Sequence, residues 1–199
     1  QHRYVFYSAA VVGNSNDMSG ATSCILVWDA ETGATVLASG TTNGTVPANT
    51  TCQWPAMDVS GRYVSFLTDA ASLTANPLLG GYHLYVRDLQ LDTTTLVDQD
   101  GSGAGSTANL LSAPSLSANG RFVAFDCLDG NLVSNDRNRN YDVFVRDLGS
   151  NVTELVSASH PALVSVTPNG ISSASVLAVN GDGRLIAFMS DADNLVAND

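Results

Sequence analysis

The sequence contains no lysine, and only two of its acidic residues, Glu31 and Glu154, are glutamate. Eight basic residues, all arginine, face 19 acidic ones, which gives a formal net charge of −11. Aspartate favours turns because its short side chain hydrogen-bonds nearby backbone amides, whereas glutamate and lysine are common in helices. The composition therefore predicts strands and turns. The charge argues against nucleic acids and anionic membranes as partners, and favours divalent cations or basic surfaces.

Long apolar runs are also missing, so we expect no membrane insertion. No signal peptide is present, which is compatible with its removal before Gln1. Three N-glycosylation sequons, at Asn43, Asn49 and Asn151, fall in predicted turns. We expect a secreted or periplasmic location.

Cysteine is scarce, with three residues and none of the close spacings typical of metal sites. The better candidate for a disulfide is Cys24 with Cys52, because Cys24 opens one strand and Cys52 precedes the next blade. Cys127 is predicted to be a small core side chain rather than a reactive thiol.

Catalytic patterns are absent as well. The three histidines are scattered (His2, His83 and His160), no G-x-S-x-G elbow occurs, and the GSGAGS stretch at 101–106 lacks the lysine of a phosphate loop. We predict a flexible connection at 101–106, no catalytic residues and no organic cofactor.

What the sequence does contain is a repeat. Similar strand-like stretches begin at four arginines spaced almost evenly along the chain, namely Arg3, Arg62, Arg121 and Arg184. A second landmark ends in aspartates with the same spacing, namely Asp29, Asp88 and Asp147. A period of about 60 residues, filled with short strands, is typical of β-propellers and related β-repeat arrays.

One repeat can be divided into four strands, predicted at 113–117, 121–126, 141–147 and 152–157. The turn before the second strand contains Asn119 and Gly120, which we expect to supply the positive φ angles of a tight hairpin. Both faces of 121–126 are apolar, as in a sheet that packs between two neighbouring sheets. Four antiparallel strands joined in this way form one propeller blade.

The sequence therefore predicts an all-β fold, a β-propeller of four-stranded antiparallel blades, here about three to three and a half blades of an incomplete ring. Residues 1–199 form a single propeller segment with units at about 1–47, 52–98, 111–157 and 172–199. The first unit lacks its first strand, and the last has only two strands. We expect a segment of a longer chain; the alternatives are a proteolytic fragment or closure by self-association.

The repeated charges are predicted to be structural. The start of one strand in an antiparallel hairpin lies beside the end of the next, so Arg62 should neighbour Asp88, and Arg121 should neighbour Asp147. An ion pair or a turn cap explains both.

The motifs SANGRFVAF, DVSGRYVSF and the looser NGDGRLIAF, followed by YDVFVRD, YHLYVRD or SCILVWD, resemble the TolB-type propeller repeat, a relative of the WD-type repeat. The resemblance covers nearly the whole chain. It implies the propeller fold strongly but says little about function, because such propellers serve as binding platforms, assembly proteins and non-catalytic parts of peptidases.

The best candidate for a ligand site is the loop DRNRNYD, in which Asp136, Asn138, Asn140 and Asp142 occupy alternate positions. Oxygen side chains at this spacing can converge on Ca²⁺. The alternative is a solvated turn, and the equivalent stretch of the preceding repeat has lost these ligands. A calcium ion here would be structural.

Two functions from different classes fit these observations. The first is a non-enzymatic binding or assembly scaffold whose protein partner contacts the long loops at 73–81 and 128–140 on one rim. The links at 40–51 and 101–112 are expected at the opposite end of the sheets. The second is the propeller portion of a larger hydrolase or lyase with catalytic residues elsewhere. A lectin-like sugar binder is a third and weaker alternative.

Overall fold

The computed structural model describes residues 4–11, 22–41, 50–106, 110, 112–134, 136–159, 161 and 167–196, with the backbone alone for 4–11 and 22. Alternating apolar sequence in these ranges forms strands. They are β1 (Tyr4–Val11), β2 (Thr22–Asp29), β3 (Thr35–Leu37), β4 (Cys52–Met57), β5 (Tyr63–Thr68), β6 (His83–Asp88), β7 (Thr93–Leu96), β8 (Ser115–Leu116), β9 (Phe122–Cys127), β10 (Asp142–Asp147), β11 (Val152–Leu155), β12 (Ser172–Val179) and β13 (Ile186–Ser190).

The strands form four antiparallel sheets with 3, 4, 4 and 2 strands. Their orders are β1-β2-β3, β4-β5-β6-β7, β11-β10-β9-β8 and β12-β13. Each strand pairs with its neighbour in sequence, as in a propeller blade. The predicted all-β propeller fold is thus confirmed.

The register between the second and third strands is the same in the two middle sheets. Tyr63 lies opposite Asp88 in the second sheet, and Phe122 lies opposite Asp147 in the third. This pairing brings the preceding arginine to the aspartate, as predicted. The Nε and Nη2 atoms of Arg62 donate to Asp88 at 2.9 and 2.6 Å, and those of Arg121 donate to Asp147 at 2.8 and 2.7 Å.

The core lies between the sheets. Phe66 and Tyr85 stack at 6.1 Å in the cluster between the first and second sheets. Phe125 and Phe144, which occupy the same positions one repeat later, stack at 5.8 Å in the cluster between the second and third. Both faces of the middle sheets are therefore buried, which explains their two-sided apolar sequence.

The predicted hairpin turn forms, but through a different role for its asparagine. Gly120 has a φ of +71°, whereas Asn119 is not among the described residues with positive φ. The Asn119 side chain instead accepts hydrogen bonds from the Ser117 hydroxyl at 2.7 Å and the Arg121 backbone N–H at 3.0 Å. Asparagine stabilises this turn by side-chain bonding rather than by a left-handed backbone.

The prediction of a flexible connection at 101–106 is wrong. Asp100 Oδ1 accepts the backbone N–H groups of Ser102 at 2.8 Å and Ala104 at 3.0 Å, and the Ser102 hydroxyl at 2.6 Å. These bonds lower the pKa of Asp100, with the Ser102 hydroxyl as the largest cause. The small residues make a hydrogen-bonded turn.

Candidate functional site

The long loops and the links between blades lie at the same end of the sheets. Asn76 Nδ2 donates to the Gly103 carbonyl at 2.8 Å, and the Gly105 N–H donates to the Pro77 carbonyl at 2.8 Å. The prediction that the 101–112 link lies at the opposite connection is therefore wrong. The reason is topological: the fourth antiparallel strand of a blade ends at the edge where the second strand turns into the third.

A groove of about 940 Å³ opens at this rim, between the second and third sheets. It is lined by the turn at 99–103, by residues 132–134 of the β9–β10 loop, by Arg146 and by residues 151–155, which include all of β11. The strand β11 is an edge strand of its sheet, so one side of its backbone is unpaired within the sheet.

The hydrogen bonds between β10 and β11 show which backbone N–H groups of β11 point outward, away from the sheet. The Val156 N–H donates to the Val143 carbonyl, so the N–H groups at alternate positions, including that of Glu154, point toward β10. Those of Thr153 and Leu155 consequently point away from β10. The groove thus runs beside a row of backbone donors and acceptors.

The predicted calcium loop lies close to this groove and brings together three of its four candidates. Asp142 begins β10 and is fully buried, and Asp136 is 5% exposed. Arg139, with a φ of +56°, turns the loop back on itself. Asn138 lies beside Asp142, while Asn140 contributes its backbone N–H, which donates to Asn138 Oδ1 at 2.9 Å.

Electrostatics at this pair of carboxylates are unfavourable. Burial raises the pKa of Asp142 to about 6; the Ser157 and Asn138 side chains oppose the rise, and the charge of Asp136 adds to it. Burial likewise raises the pKa of Asp136, with a further contribution from Asp129. Within the described ranges, no three His, Cys, Asp or Glu side chains form a metal-binding group, so an ion here also needs neutral oxygen ligands.

A buried histidine–aspartate pair was missed by the sequence analysis. His83 Nδ1 lies 3.1 Å from Asp98 Oδ2, and the Ser106 hydroxyl donates to the same carboxylate oxygen at 2.9 Å. His83 is only 1% exposed, so it is inaccessible to a substrate. The repeat relates this pair to a second one. His83 and Asp98 stand one repeat before Asp142 and Ser157, whose side chains are also hydrogen-bonded to each other.

The cysteines are buried thiols, and the predicted disulfide between Cys24 and Cys52 is not formed. Burial raises the pKa of Cys52, and it raises the pKa of Cys127 to about 12. A high pKa leaves little reactive thiolate at neutral pH, which agrees with the predicted core role of Cys127.

Other predicted positions have simpler outcomes. Asn151 lies in an exposed turn with a φ of +58°. His2, Arg3, Asn43, Asn49 and His160 lie outside the described residues. Within the described part of the chain, no helix is long and apolar enough to cross a membrane.

Solved structures of a TolB protein and of two peptidases are similar to this chain. No family model and no curated protein match the chain. A TolB structure from Acinetobacter baumannii matches with a TM-score of 0.47 and 15% identity, over 85% of this chain and 32% of that one. The tricorn protease matches with a TM-score of 0.51 and 14% identity, over 85% of this chain and 13% of that one. A prolyl endopeptidase matches with a TM-score of 0.49 and 12% identity, over 99% of this chain and 29% of that one.

The chain thus spans about a third or less of these structures. At such identities the likeness shows the fold alone. The antiparallel sheet topology itself agrees with the propeller-like fold that the repeat motifs predicted.

Proposed function

We propose that this chain, with its TolB-type propeller-like fold, is part of a non-enzymatic scaffold that binds a protein partner. The observation that carries the proposal is the groove beside the edge strand β11. An extended segment of a partner can add to such an edge through main-chain hydrogen bonds, with the groove walls selecting its side chains.

Charge favours a basic segment. Asp100 and Glu154 lie on the groove walls; Asp100 is half-buried and Glu154 is exposed, whereas the guanidinium of Arg146 is largely buried. The chain as a whole carries a formal charge of −11. Complementary charge mainly accelerates association and suppresses wrong partners.

Side chains with reactive chemistry are used structurally in the described regions. The Arg62 and Arg121 guanidinium groups bind aspartates across β-strands, and His83 is buried against Asp98. These structural roles agree with a scaffold. The alternative, a propeller portion of a larger hydrolase or lyase with catalytic residues elsewhere, is distinguished by the turnover test below. A secreted or periplasmic location is part of the proposal, and fractionation of the producing cells tests it.

The test exploits a matched pair of edge positions. Thr153 in β11 and Thr94 in β7 are equivalent, and each hydroxyl accepts a bond from an arginine Nη1 at 3.0 Å. Proline at either position removes one outward N–H and the same threonine–arginine bond, but only Thr153 lines the groove. Peptides selected from a random display library on the wild-type chain serve as probes, and affinities are measured by calorimetry.

We expect Thr153→Pro to weaken peptide binding at least about tenfold, equivalent to about 1.4 kcal/mol, and Thr94→Pro to leave it unchanged. If the two variants weaken binding equally, or if the selected peptides bind elsewhere, the proposal that peptides bind in the groove is wrong. If the chain turned over a peptide and this activity depended on residues of the chain, the proposed function would be enzymatic rather than that of a scaffold.

A further inference from the structure

The carboxylates of Asp136 and Asp142 carry more buried negative charge than the surrounding protein compensates. Both oxygens of Asp136 and Oδ2 of Asp142 are buried, and no described donor meets hydrogen-bond geometry with them, although Asn138 and the two carboxyl groups themselves lie close enough to shift the pKa values of the pair. The remaining oxygen, Asp142 Oδ1, accepts the Ser157 hydroxyl at 2.8 Å. Leaving a carboxylate oxygen buried without a partner is costly, so these atoms point to something that binds them.

Among the residues that the structure describes, the groups that act on the pair do not supply a positive charge. The side chains that act on the two carboxylates are those of Asn138, Ser157 and Asp129, which are neutral or acidic. Arg137 and Arg139 belong to the same loop, but both are exposed. The side chains that are present can serve as oxygen ligands but cannot neutralise the pair.

The preceding repeat shows how the same position is balanced when a second carboxylate is absent. His83 stands one full repeat before Asp142, and Pro77 stands one full repeat before Asp136. There a single carboxylate, that of Asp98, contacts the imidazole of His83 at 3.1 Å. The second sheet thus pairs one acid with an imidazole, and the third sheet pairs two acids.

We propose that a Ca²⁺ ion binds between Asp136 and Asp142, with a nearby hydroxyl, backbone carbonyls and water completing its shell. The Asn138 side-chain oxygen already accepts the Asn140 N–H at 2.9 Å. Ca²⁺ accepts six to eight oxygen ligands in flexible geometry, whereas Mg²⁺ requires near-ideal octahedral geometry and keeps more of its water. The set combines two carboxylates with neutral oxygens, which suits the larger ion. Asn140 is not required as a side-chain ligand.

The ion would be structural. Asn138 Nδ2 donates to the Pro168 carbonyl at 2.7 Å, which links the loop to the segment that precedes β12. Fixing Asn138 beside the ion therefore also fixes the contact between the third and fourth sheets. This site does not depend on the proposed partner groove.

The test begins with the whole chain stripped of metal by a chelator and titrated with CaCl₂ in a calorimeter. We expect one Ca²⁺ per chain. At a hundredfold excess of Ca²⁺ over its Kd, we expect the unfolding temperature to rise by roughly 5–10 °C. Magnesium at the same concentration should give a smaller rise.

Variants locate the site. Asp136→Asn and Asp142→Asn should each abolish Ca²⁺ binding and the thermal shift. Asp182→Asn is the matched control, because Asp182 is an exposed turn aspartate whose Oδ1 accepts the Arg184 N–H at 3.1 Å. It should bind Ca²⁺ like the wild type.

Several results would overturn the proposal. A wild-type chain that takes up no Ca²⁺ means that the two carboxyl groups share a proton instead. Site variants that bind Ca²⁺ as well as Asp182→Asn place the ion elsewhere. Should the site variants fail to fold, as judged by circular dichroism, tyrosine-sensitised Tb³⁺ luminescence on the wild type decides: a signal displaced by Ca²⁺ at one equivalent supports the site, and no signal rejects it.

Discussion

At the residue scale, the same few side chains hold each sheet to the next. The guanidinium of Arg62 lies 4.8 Å from the ring centre of Tyr63, and that of Arg121 lies 4.9 Å from the ring of Phe122. A glycine from the following repeat contacts each ring, Gly120 for Tyr63 and Gly183 for Phe122. Each aromatic side chain is thus enclosed by its own arginine and the next turn.

The turn glycines are predicted to be irreplaceable for this reason. A Cβ on Gly120 would lie 2.1 Å from Tyr63 Cδ2, and the φ of +71° disfavours any other residue. We expect Gly120→Ala to lower the free energy of unfolding by at least about 2 kcal/mol, measured by urea denaturation.

Gly33 supplies the control for Gly120. Its φ is +73°, but no described atom lies within 4 Å of the position that a Cβ would take. Gly33→Ala should therefore cost only the backbone strain, about 1 kcal/mol. Equal losses for the two variants would show that the contact with Tyr63 does not contribute.

The Arg121–Asp147 pair predicts a pH dependence. Hydrogen bonds from Arg121 lower the pKa of Asp147, helped by the Gly149 N–H and the Ser150 hydroxyl. A folded-state pKa below the unfolded one stabilises the fold above the unfolded-state pKa of about 3.9, and that stabilisation is lost as the pH falls below it. Arg121→Gln should therefore lower the urea midpoint at neutral pH, and its difference from the wild type should shrink below about pH 4.

Arg184→Gln is the comparison for this measurement. Arg184 precedes the equivalent strand of the fourth unit and is exposed, and no ion pair of its side chain occurs in the described residues. Its substitution should change the midpoint little at any pH. If the urea midpoint of Arg121→Gln stayed below that of the wild type by a constant amount down to about pH 2, the result would argue against the ion pair.

At the scale of elements, the two-stranded sheet β12–β13 presents an apolar face. Leu185 and Met189 are each 71% exposed, and Leu177 is 89% exposed. Leu185 occupies the position that Tyr63 and Phe122 hold in the preceding repeats, where a glycine turn of the next repeat covers the ring. A second apolar sheet face can cover this position in the same way.

We expect the chain to bury this face against a second copy. Light scattering coupled to size exclusion should show association that increases with protein concentration, and Leu185→Ser with Met189→Ser should reduce it. Val59→Ser is the control, since Val59 is 83% exposed in a turn away from this face. A wild-type chain that stays monomeric at every concentration would contradict the prediction.

Strand identity and register were predictable from the sequence, because alternation and turn residues are local signals. The strand of YDVFVRD begins at Asp142, one residue later than predicted, and that of APSLS shortens to Ser115–Leu116. The Asn119 backbone was predicted wrongly because an asparagine can stabilise a turn by either its φ angle or its side chain. Local sequence does not choose between them.

At the scale of the whole molecule, the groove beside β11 and the Asp136–Asp142 pair lie at the rim where loops and inter-blade links meet. This rim carries several of the acidic residues, including Asp100 and Asp129. A Ca²⁺ ion there would neutralise part of this charge. It would leave the carboxylates of Asp100 and Glu154 available to a basic partner.

The sequence by itself determined the repeat, the all-β propeller fold, the strand order and the Arg–Asp pairs, because each follows from a fixed interval and the two-residue period of strands. Only the tertiary structure decided that the links share a rim with the long loops, that His83 is buried against Asp98, and that Asp136 and Asp142 lack compensating charge. Those features depend on which side chains meet between sheets and on how deeply they are buried. A single repeat does not encode these contacts, since they form between segments distant in the chain.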